Sequence, residues 1–378
     1  MNLITTDDPV QQIAAGREIY EARQSVYNKD VMDKMYGAIR KLKKHTPPHL
    51  SEHDVFYLSV YNYWRYGFVI KELYRLHLFD MPHSEKMTYI SNMDKLNYTG
   101  HLNRKEDVHL LSNKYETWQI LKDLYGRDLI YVSAETGHDE FRDFMKKHSE
   151  FVIKPVGLAT SIGVRKCSLQ EYGGDPQAAL AGILQETEEV TRHYRWSYGS
   201  GIVVEEVIRQ GEELGRLHPA SVNSVRITTL RTDDGIHMFC PVVRIGLHNE
   251  FLCAGSVGSI VAGINTRTGI TETDGYTEEG DHFVVHPDTG ITIRGIAIPK
   301  WEELLRMAEE IALKFENLGY IGWDFVYTED GKWIVLEGNE NGGFIGQLAW
   351  QRGLFKEFTD LIKWKSPKKY WWIGRYPE

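Results

Sequence analysis

Read for the spacing of its apolar positions, the chain changes character near residue 109. Over the first hundred residues apolar and aromatic side chains recur every three or four positions, most clearly in DVFYLSVYNYWRYGFVIKELYRLHLF, which predicts helix. Pro47-Pro48 separates that run from an earlier basic helix around VMDKMYGAIRKLKK. Tyr61, Tyr63, Trp64 and Tyr66 are expected in the core of this unit, and any left exposed would form a substrate wall. Beyond residue 109 the pattern alternates: helix in NKYETWQILKDLYG, strand in LIYVS, helix around HDEFRDFMKKH, then the strand EFVIKPV. The strands VRKCSL, GIVVEEVI, NSVRITTLRT and HMFCPVVRIG follow, with a helix near PQAALAGILQETEEVTRH among them. PKWEELLRMAEEIALKFENLGY reads as an amphipathic helix with Trp301, Leu304, Leu305, Ala308, Ile311, Ala312 and Phe315 on its apolar stripe and Gly319 as the stop. Helices mixed with hairpin-linked strands indicate an α+β protein and not a doubly wound parallel sheet. The expected units are a mainly helical N-terminal domain (1–108), a central α+β subdomain (109–207) and a C-terminal subdomain (208–378).

The segment WDFVYTEDGKWIVLEGNENGG, 323–343, carries the first chemistry. A two-residue turn at Asp330-Gly331 would make Glu329 the partner of Lys332 and, counting back along both strands, would set Asp324 opposite Glu337. Asn339 lies two residues further along Glu337's face. That register puts Trp323, Phe325 and Tyr327 on one face with Ile334 and Leu336, and Val326, Trp333 and Val335 on the other with the acids. Like charges directly opposed destabilise a sheet. A divalent cation held by oxygen ligands is the economical compensation; the alternative is a solvated ribbon whose acids repel weakly.

Composition narrows the field. At 378 residues and 42% hydrophobic, the chain has ample material for more than one core. No apolar run approaches the roughly 20 residues of a membrane span. The N-terminus MNLITTDDPVQQ lacks the features of a signal peptide, so a cytoplasmic location is the expectation. Cys167, Cys240 and Cys253 show no CxxC spacing, which suits a reducing compartment and argues against structural zinc. A net charge of −9 gives a nucleic-acid role no general support. The tail KWKSPKKYWWIGRYPE interleaves Lys363, Lys365, Lys368 and Lys369 with Trp364, Tyr370, Trp371 and Trp372. Its rings are expected to pack on the domain, leaving the lysines in solvent. His218, His237, His248, His282 and His286 follow no metal-ligand spacing and read as structural.

Two further segments are candidates for binding. FVIKPVGLATSIGVRKC places Lys154 on a strand, followed by a loop containing Gly157, Ala159, Thr160, Ser161 and Gly163. Small residues let backbone amides approach an anion, and the lysine supplies a point charge for phosphate. The lysine precedes the glycines, so this is not the GxxxxGK[ST] loop, and alone it reads equally as a hairpin tip. GIVVEEVIRQGEEL is an apolar strand ending in acids, able to present backbone to an adenine edge or simply to border a sheet.

Taken in order, these pieces resemble the ATP-grasp superfamily, in which ATP lies between two α+β subdomains, over roughly residues 110–350. The resemblance implies that Lys114 and Lys154 bind phosphates and that Gly157 to Gly163, including Thr160 and Ser161, form the glycine-rich lid. It also implies that Glu206 with the Val207-Ile208 backbone meets adenine and that Glu213 meets ribose. The Asp, Glu and Asn metal ligands, spaced 13 and 2 residues apart, match Asp324, Glu337 and Asn339. LHPASVNSVRI, the aromatic N-terminal segment and the Asn-Gly-Gly after the metal ligands look like the sugar-transfer-associated branch. In some ATP-grasp ligases an arginine lies two residues before the metal aspartate; here that position is Gly322. Arg226, on a strand heading toward the same sheet, is the candidate for the acyl-phosphate oxygens because a planar guanidinium can grip them bidentately; it reads equally as a sheet-surface arginine paired with an acid, with Arg244 as the alternative candidate, and the amides of Gly342 and Gly343 could help to hold the reacting carboxylate.

The function so implied is an ATP- and Mg²⁺-dependent carboxylate ligase with two ions. It would join a small-molecule or peptide carboxylate to an amine or other nucleophile through an acyl phosphate, releasing ADP and phosphate. The alternatives are a kinase of a sugar or polyol on the same fold and a non-catalytic nucleotide-binding component of a polysaccharide or natural-product pathway.

Overall fold

The computed structural model describes residues 4–159, 161–192, 199–248 and 258–364, and the backbone of 369–370 and 374–375. Thr160, Cys253 and the side chains of the basic aromatic tail beyond Trp364 lie outside the described residues. The strands β1 (Leu129–Val132), β2 (Glu150–Pro155), β3 (Arg165–Ser168) and β4 (Ile202–Glu206) form an antiparallel sheet in the order β1-β4-β2-β3. The helices His138–Lys147 and Pro176–Thr191 cover it, packing Phe141, Phe144 and Ile183 on Phe151, Ile153 and Val204.

A larger antiparallel sheet follows. Its strands are β5 (Ser224–Thr232), β6 (Gly235–Ile245), β7 (Ile260–Gly263), β8 (Gly275–Tyr276), β9 (His282–Phe283), β10 (Tyr320–Tyr327) and β11 (Trp333–Asn339), in the order β11-β10-β5-β6-β7-β8-β9. Strand alternation gives this sheet two different faces. Val225, Ile227, Val243, Trp323 and Phe325 share a core with Leu304, Ala308 and Ile311 of the helix Trp301–Leu313. Val242 and Val261, on the opposite face, join the core of the N-terminal helices with Phe56, Leu58 and Leu73. By the same alternation Arg226, Arg244 and Asp324 belong to the face that meets the N-terminal helices.

The long apolar run of the N-terminal region is split, because Gly67 adopts a left-handed conformation (φ 83°) and ends the helix Glu52–Tyr66 before a second begins at Ile70. Tyr61, Trp64 and Tyr66 are buried, so they are core and not a substrate wall. Trp364 stacks on His101 with ring centroids 3.7 Å apart, tying the start of the tail to the helix Asn92–Leu102.

Two local expectations are corrected. The helix that starts at Trp301 ends at Leu313, and Gly319 serves a close approach instead of a helix stop. Its N–H donates to the Leu102 carbonyl at 2.9 Å, and a Cβ there would stand 2.8 Å from the same oxygen. The hairpin is not closed by two residues: Thr328 N–H donates to the Lys332 carbonyl at 2.9 Å, so residues 328–332 make the loop. Next to it Tyr327 pairs with Trp333 and Phe325 with Val335, one residue out of the expected step. Leu336 is the extra residue of a β-bulge, beyond which Asp324 faces Glu337 as expected. A one-residue shift exchanges faces, and Trp333 and Val335 accordingly join Trp323, Phe325 and Tyr327 in the core instead of sharing the acids' side.

Buried Asn103 fastens the helical region to this hairpin. It accepts from Tyr320 N at 2.8 Å and donates to the carbonyls of Tyr320 at 2.9 Å and Glu340 at 2.8 Å. Asn103→Ala leaves buried backbone groups unpaired and is expected to lower stability by about 2 kcal/mol, read from the midpoint of a urea titration; an unchanged midpoint would show that the clasp is replaced by other bonds.

Candidate functional site

Asp324 sits opposite Arg226 in the β10–β5 register, and alternation brings the two side chains to the same face. Arg226 Nε donates to Asp324 Oδ1 at 2.6 Å and Nη2 to Oδ2 at 2.5 Å, a bidentate grip, while Arg244 Nη1 reaches Oδ2 at 3.4 Å. Burial would raise the Asp324 pKa, but Arg226 and then Arg244 outweigh it and hold the carboxyl below its ordinary range. LHPASVNSVRI explains the phase of β5. His218 and Ser221 hydrogen-bond each other at 2.8 Å, and Asn223 donates to the carbonyls of Leu214 at 2.9 Å and His218 at 3.1 Å. Asn223 also accepts Gly246 N–H at 3.0 Å; a Cβ on Gly246 would collide with this cluster. These buried bonds pin the start of β5, three residues before Arg226.

Gly322 packs against the Arg226 side chain. A Cβ there would lie 3.2 Å from Arg226 Nη1, and one on Gly342 would lie 3.4 Å from the same nitrogen. The guanidinium of Arg226 therefore occupies the space into which a side chain at 322 would grow.

Glu337 faces Asp324, and Asn339 Nδ2 lies 3.3 Å from Glu337 Oε1. The compensation for the opposed acids at Asp324 comes from the protein's own arginines, so the hairpin does not by itself require a cation. The donors still suit one. Asp324 Oδ2 accepts from both arginines, but Oδ1 accepts only from Arg226 and keeps a second acceptor site, and Asn339 can turn its amide oxygen inward, giving with Glu337 an all-oxygen set of the kind hard divalent ions take.

Across from this hairpin lies the four-stranded sheet. Lys154 donates to Glu205 Oε2 at 2.8 Å, and Arg127 Nε to the same oxygen at 2.9 Å. Arg127 also donates to the carbonyl of Val335 at 2.7 Å, which joins the two sheets. Burial opposes the charge on Glu205, but Arg127 and Lys154 prevail and bring its pKa from the ordinary 4.5 down to about 2. Strand alternation turns the neighbouring Glu206 the other way, where it accepts Asp128 N–H at 3.2 Å beside the Asp128–His148 ion pair. The acid sharing Lys154's face is thus Glu205, a residue not singled out from the sequence. Sequence spacing could not have found it, because the pairing of β2 with β4 is non-local.

Lys114 opens the helix Lys114–Tyr125 and donates to the carbonyls of Pro155, at 3.0 Å, and Leu158, at the beginning of the glycine-containing loop. Burial lowers its pKa to about 8, with nearby Glu337 acting in the opposite sense and Lys154 in the same sense. In the loop, Gly157 is buried and Ser161 and Gly163 have φ of 61° and 71°. A Cβ on Gly163 would meet Pro155 at 2.7 Å. Val207 and Ile208 leave β4 without a hydrogen bond to their backbone from any described residue, while exposed Glu213 lies a turn further on. Lys114, Lys154, Glu205 and Glu337 are thereby brought together; Glu206 and Glu213 stand apart from them.

A cavity of about 150 Å³ opens on the other side of Arg226 and Arg244, bounded also by Gly343 and by Glu72, Arg75 and Lys95 from the N-terminal helices. Those three helical residues carried no signal in the sequence, where only their helical spacing was visible.

Glu205→Gln leaves Arg127 and Lys154 without a buried counter-charge, and about 3 kcal/mol of stability is expected to be lost. Because the folded-state pKa of Glu205 lies below its ordinary value of 4.5, its stabilisation is fully present above that pH and fades as pH falls towards about 2. Chemical denaturation between pH 7 and pH 2 should show a shallower acid limb in Glu205→Gln than in the parent; parallel limbs would contradict this.

No curated protein matches the chain in sequence. Solved structures do. The ATP-grasp ligase PsnB complexed with a minimal precursor is 14% identical, with a TM-score of 0.42, covering 72% of this chain and 68% of that one. D-alanyl-alanine synthetase A from Vibrio cholerae is 11% identical, with a TM-score of 0.39 and coverage of 68% and 62%. D-alanine-D-alanine ligase from Helicobacter pylori is 15% identical, with a TM-score of 0.40 and coverage of 67% and 60%. The chain thus spans about three-fifths to two-thirds of the length of these proteins. The model of the sugar-transfer associated ATP-grasp family matches residues 94–363, most of the chain, and the protein belongs to that family.

Proposed function

We propose that this protein is an ATP- and Mg²⁺-dependent carboxylate ligase that releases ADP and phosphate. The observation that carries the reading is the buried Asp324–Arg226–Arg244 cluster, set between the oxygen ligands Glu337 and Asn339 and a cavity large enough for a small acid. Membership of the ATP-grasp family supports ATP as the phosphoryl donor. Lys114 and Lys154 would face the phosphates, the 157–163 loop would cover them, and the Val207-Ile208 backbone, without a hydrogen-bond partner among the described residues, would meet the adenine edge. Bound at Asp324, Glu337 and Asn339, Mg²⁺ would neutralise phosphate oxygens.

A carboxylate oxygen of the acid substrate attacks the γ-phosphorus, the bond to the β-phosphate oxygen breaks, and ADP leaves. The amine or other nucleophile then attacks the acyl carbon, phosphate departs, and the nucleophile gives up its proton. Arg226 and Arg244 orient the carboxylate and balance the negative charge that builds on its oxygens in both steps. Asp324 holds Arg226 in place before the substrate arrives, which removes part of the reorganisation cost. The amides of Gly342 and Gly343 border the same position. No nucleic acid has a role in this chemistry, and no helix among the described residues is long and apolar enough to cross a membrane.

Incubation with ATP, Mg²⁺ and pooled acids and amines should yield ADP, phosphate and a condensed product. AMP with pyrophosphate would overturn the acyl-phosphate route, and a stable phosphorylated acceptor without condensation would point to a kinase. Arg226→Ala, in protein confirmed folded, should lower kcat/KM by about 10²-fold or more. Adding Gly322→Arg to that variant refills the vacated space with a guanidinium and should restore about tenfold; no recovery would show that the space near Gly322 is not where the charge acts.

A further inference from the structure

The cavity beside Arg226 carries more positive charge than the activation of one carboxylate uses. Its wall from the seven-stranded sheet supplies Arg226 and Arg244; its wall from the N-terminal helices supplies Arg75, Lys95 and Glu72, and Glu278 completes it. Arg75 is already committed, lying 3.1 Å from Glu72 and 4.0 Å from Glu278. Glu72 is spent on the same contact and on the backbone N–H groups of Val69, at 2.9 Å, and Asn92, at 3.2 Å. Arg226 is held by Asp324. Lys95 is different: its ammonium has neither an ion-pair nor a hydrogen-bond partner among the described residues, although the Arg75–Glu72 pair lines the same cavity. Arg244 is also short of partners, since its Nε is buried and unsatisfied and only Nη1 reaches Asp324. The half-buried Lys95 ammonium and the buried Arg244 Nε both line this cavity without a counter-ion of their own, and a bound anion would supply one.

We infer that the acid substrate carries a second anionic group, held by Lys95 while its reacting carboxylate lies at Arg226 and Arg244. This rests on the ligase reading and narrows it to small dianions such as dicarboxylates. A cavity of about 150 Å³ admits a molecule of roughly benzene's size or a little larger, which a four-carbon dicarboxylate matches. The two anions would bridge the helical domain and the sheet, so binding would clamp one onto the other. Glu72 and Glu278 do not form an ammonium site of comparable quality, because Arg75 stands next to both.

The test uses the full chain and three probes of similar length: succinate, butyrate and 4-aminobutyrate. Binding is read by calorimetry with and without a non-hydrolysable ATP analogue and Mg²⁺, for the parent, Lys95→Met and Lys95→Arg. Succinate should bind the parent at least tenfold more tightly than either other probe. Lys95→Met should remove that preference, and Lys95→Arg should keep most of it. Equal affinity for succinate and butyrate, tighter binding of 4-aminobutyrate, an unchanged preference in Lys95→Met, or no saturable binding of any probe in either nucleotide state would each overturn the proposal. Loss of nucleotide binding with the succinate preference intact would instead count against the nucleotide site and leave the dianion cavity standing.

Discussion

The bidentate contact between Arg226 and Asp324 is the constraint around which the larger sheet is arranged. Two full charges buried at a strand pairing are expensive to desolvate, and a pair of well-packed apolar residues would often be as stable or more so. The pair therefore contributes little to explaining why the sheet is stable. What it does is fix position: the guanidinium cannot rotate away, lies in the space left by Gly322 and Gly342, and borders the cavity. Removing one partner would strand the other in a low-dielectric site, so the register of β5 against β10 and the placement of the charge are tied to each other.

The smaller sheet repeats this logic with a different set. Glu205 gathers Lys154 and Arg127, and Arg127 extends to the Val335 carbonyl on β11. One arginine thus couples the sheet that carries the glycine-containing loop to the hairpin that carries Glu337 and Asn339. Lys114 adds a second tie by holding the carbonyls at the beginning of the loop. A nucleotide lying between the sheets would meet lysines already oriented by the protein and would need to displace few protein contacts. The N-terminal helices close the far side, and the Asn103 clasp fastens them to the end of β11, beside Glu337 and Asn339.

Much of this was legible in the sequence, for reasons that differ by element. Helix and strand periods identified the α+β organisation, and the short-range pattern of the late hairpin paired Asp324 with Glu337. That pairing is right, but the turn reasoning behind it is not: a five-residue loop and a bulge at Leu336 offset each other. The faces nearest the loop were misassigned, because two compensating irregularities are invisible to a rule based on turn dipeptides. Glu205 was hidden because its partners come from β2 and from Arg127, which only long-range pairing brings together. Lys95, Arg75 and Glu72 were hidden because they look like ordinary polar positions on amphipathic helices. Arg226 could be proposed from its strand, but its relation to Gly322 needed coordinates: the space of one residue is filled by a side chain from the neighbouring strand.

The most direct measurement is calorimetric titration of the full chain with a non-hydrolysable ATP analogue, with and without Mg²⁺, in the parent and in Glu337→Gln. The nucleotide site between the two sheets should bind the analogue in the parent, more tightly with Mg²⁺, and the glutamine variant should remain folded while losing most of the Mg²⁺ effect. Binding that is indifferent to Mg²⁺, or a Mg²⁺ effect equal in parent and variant, would contradict the placement of the metal on this hairpin, and no binding at all would contradict the nucleotide site itself.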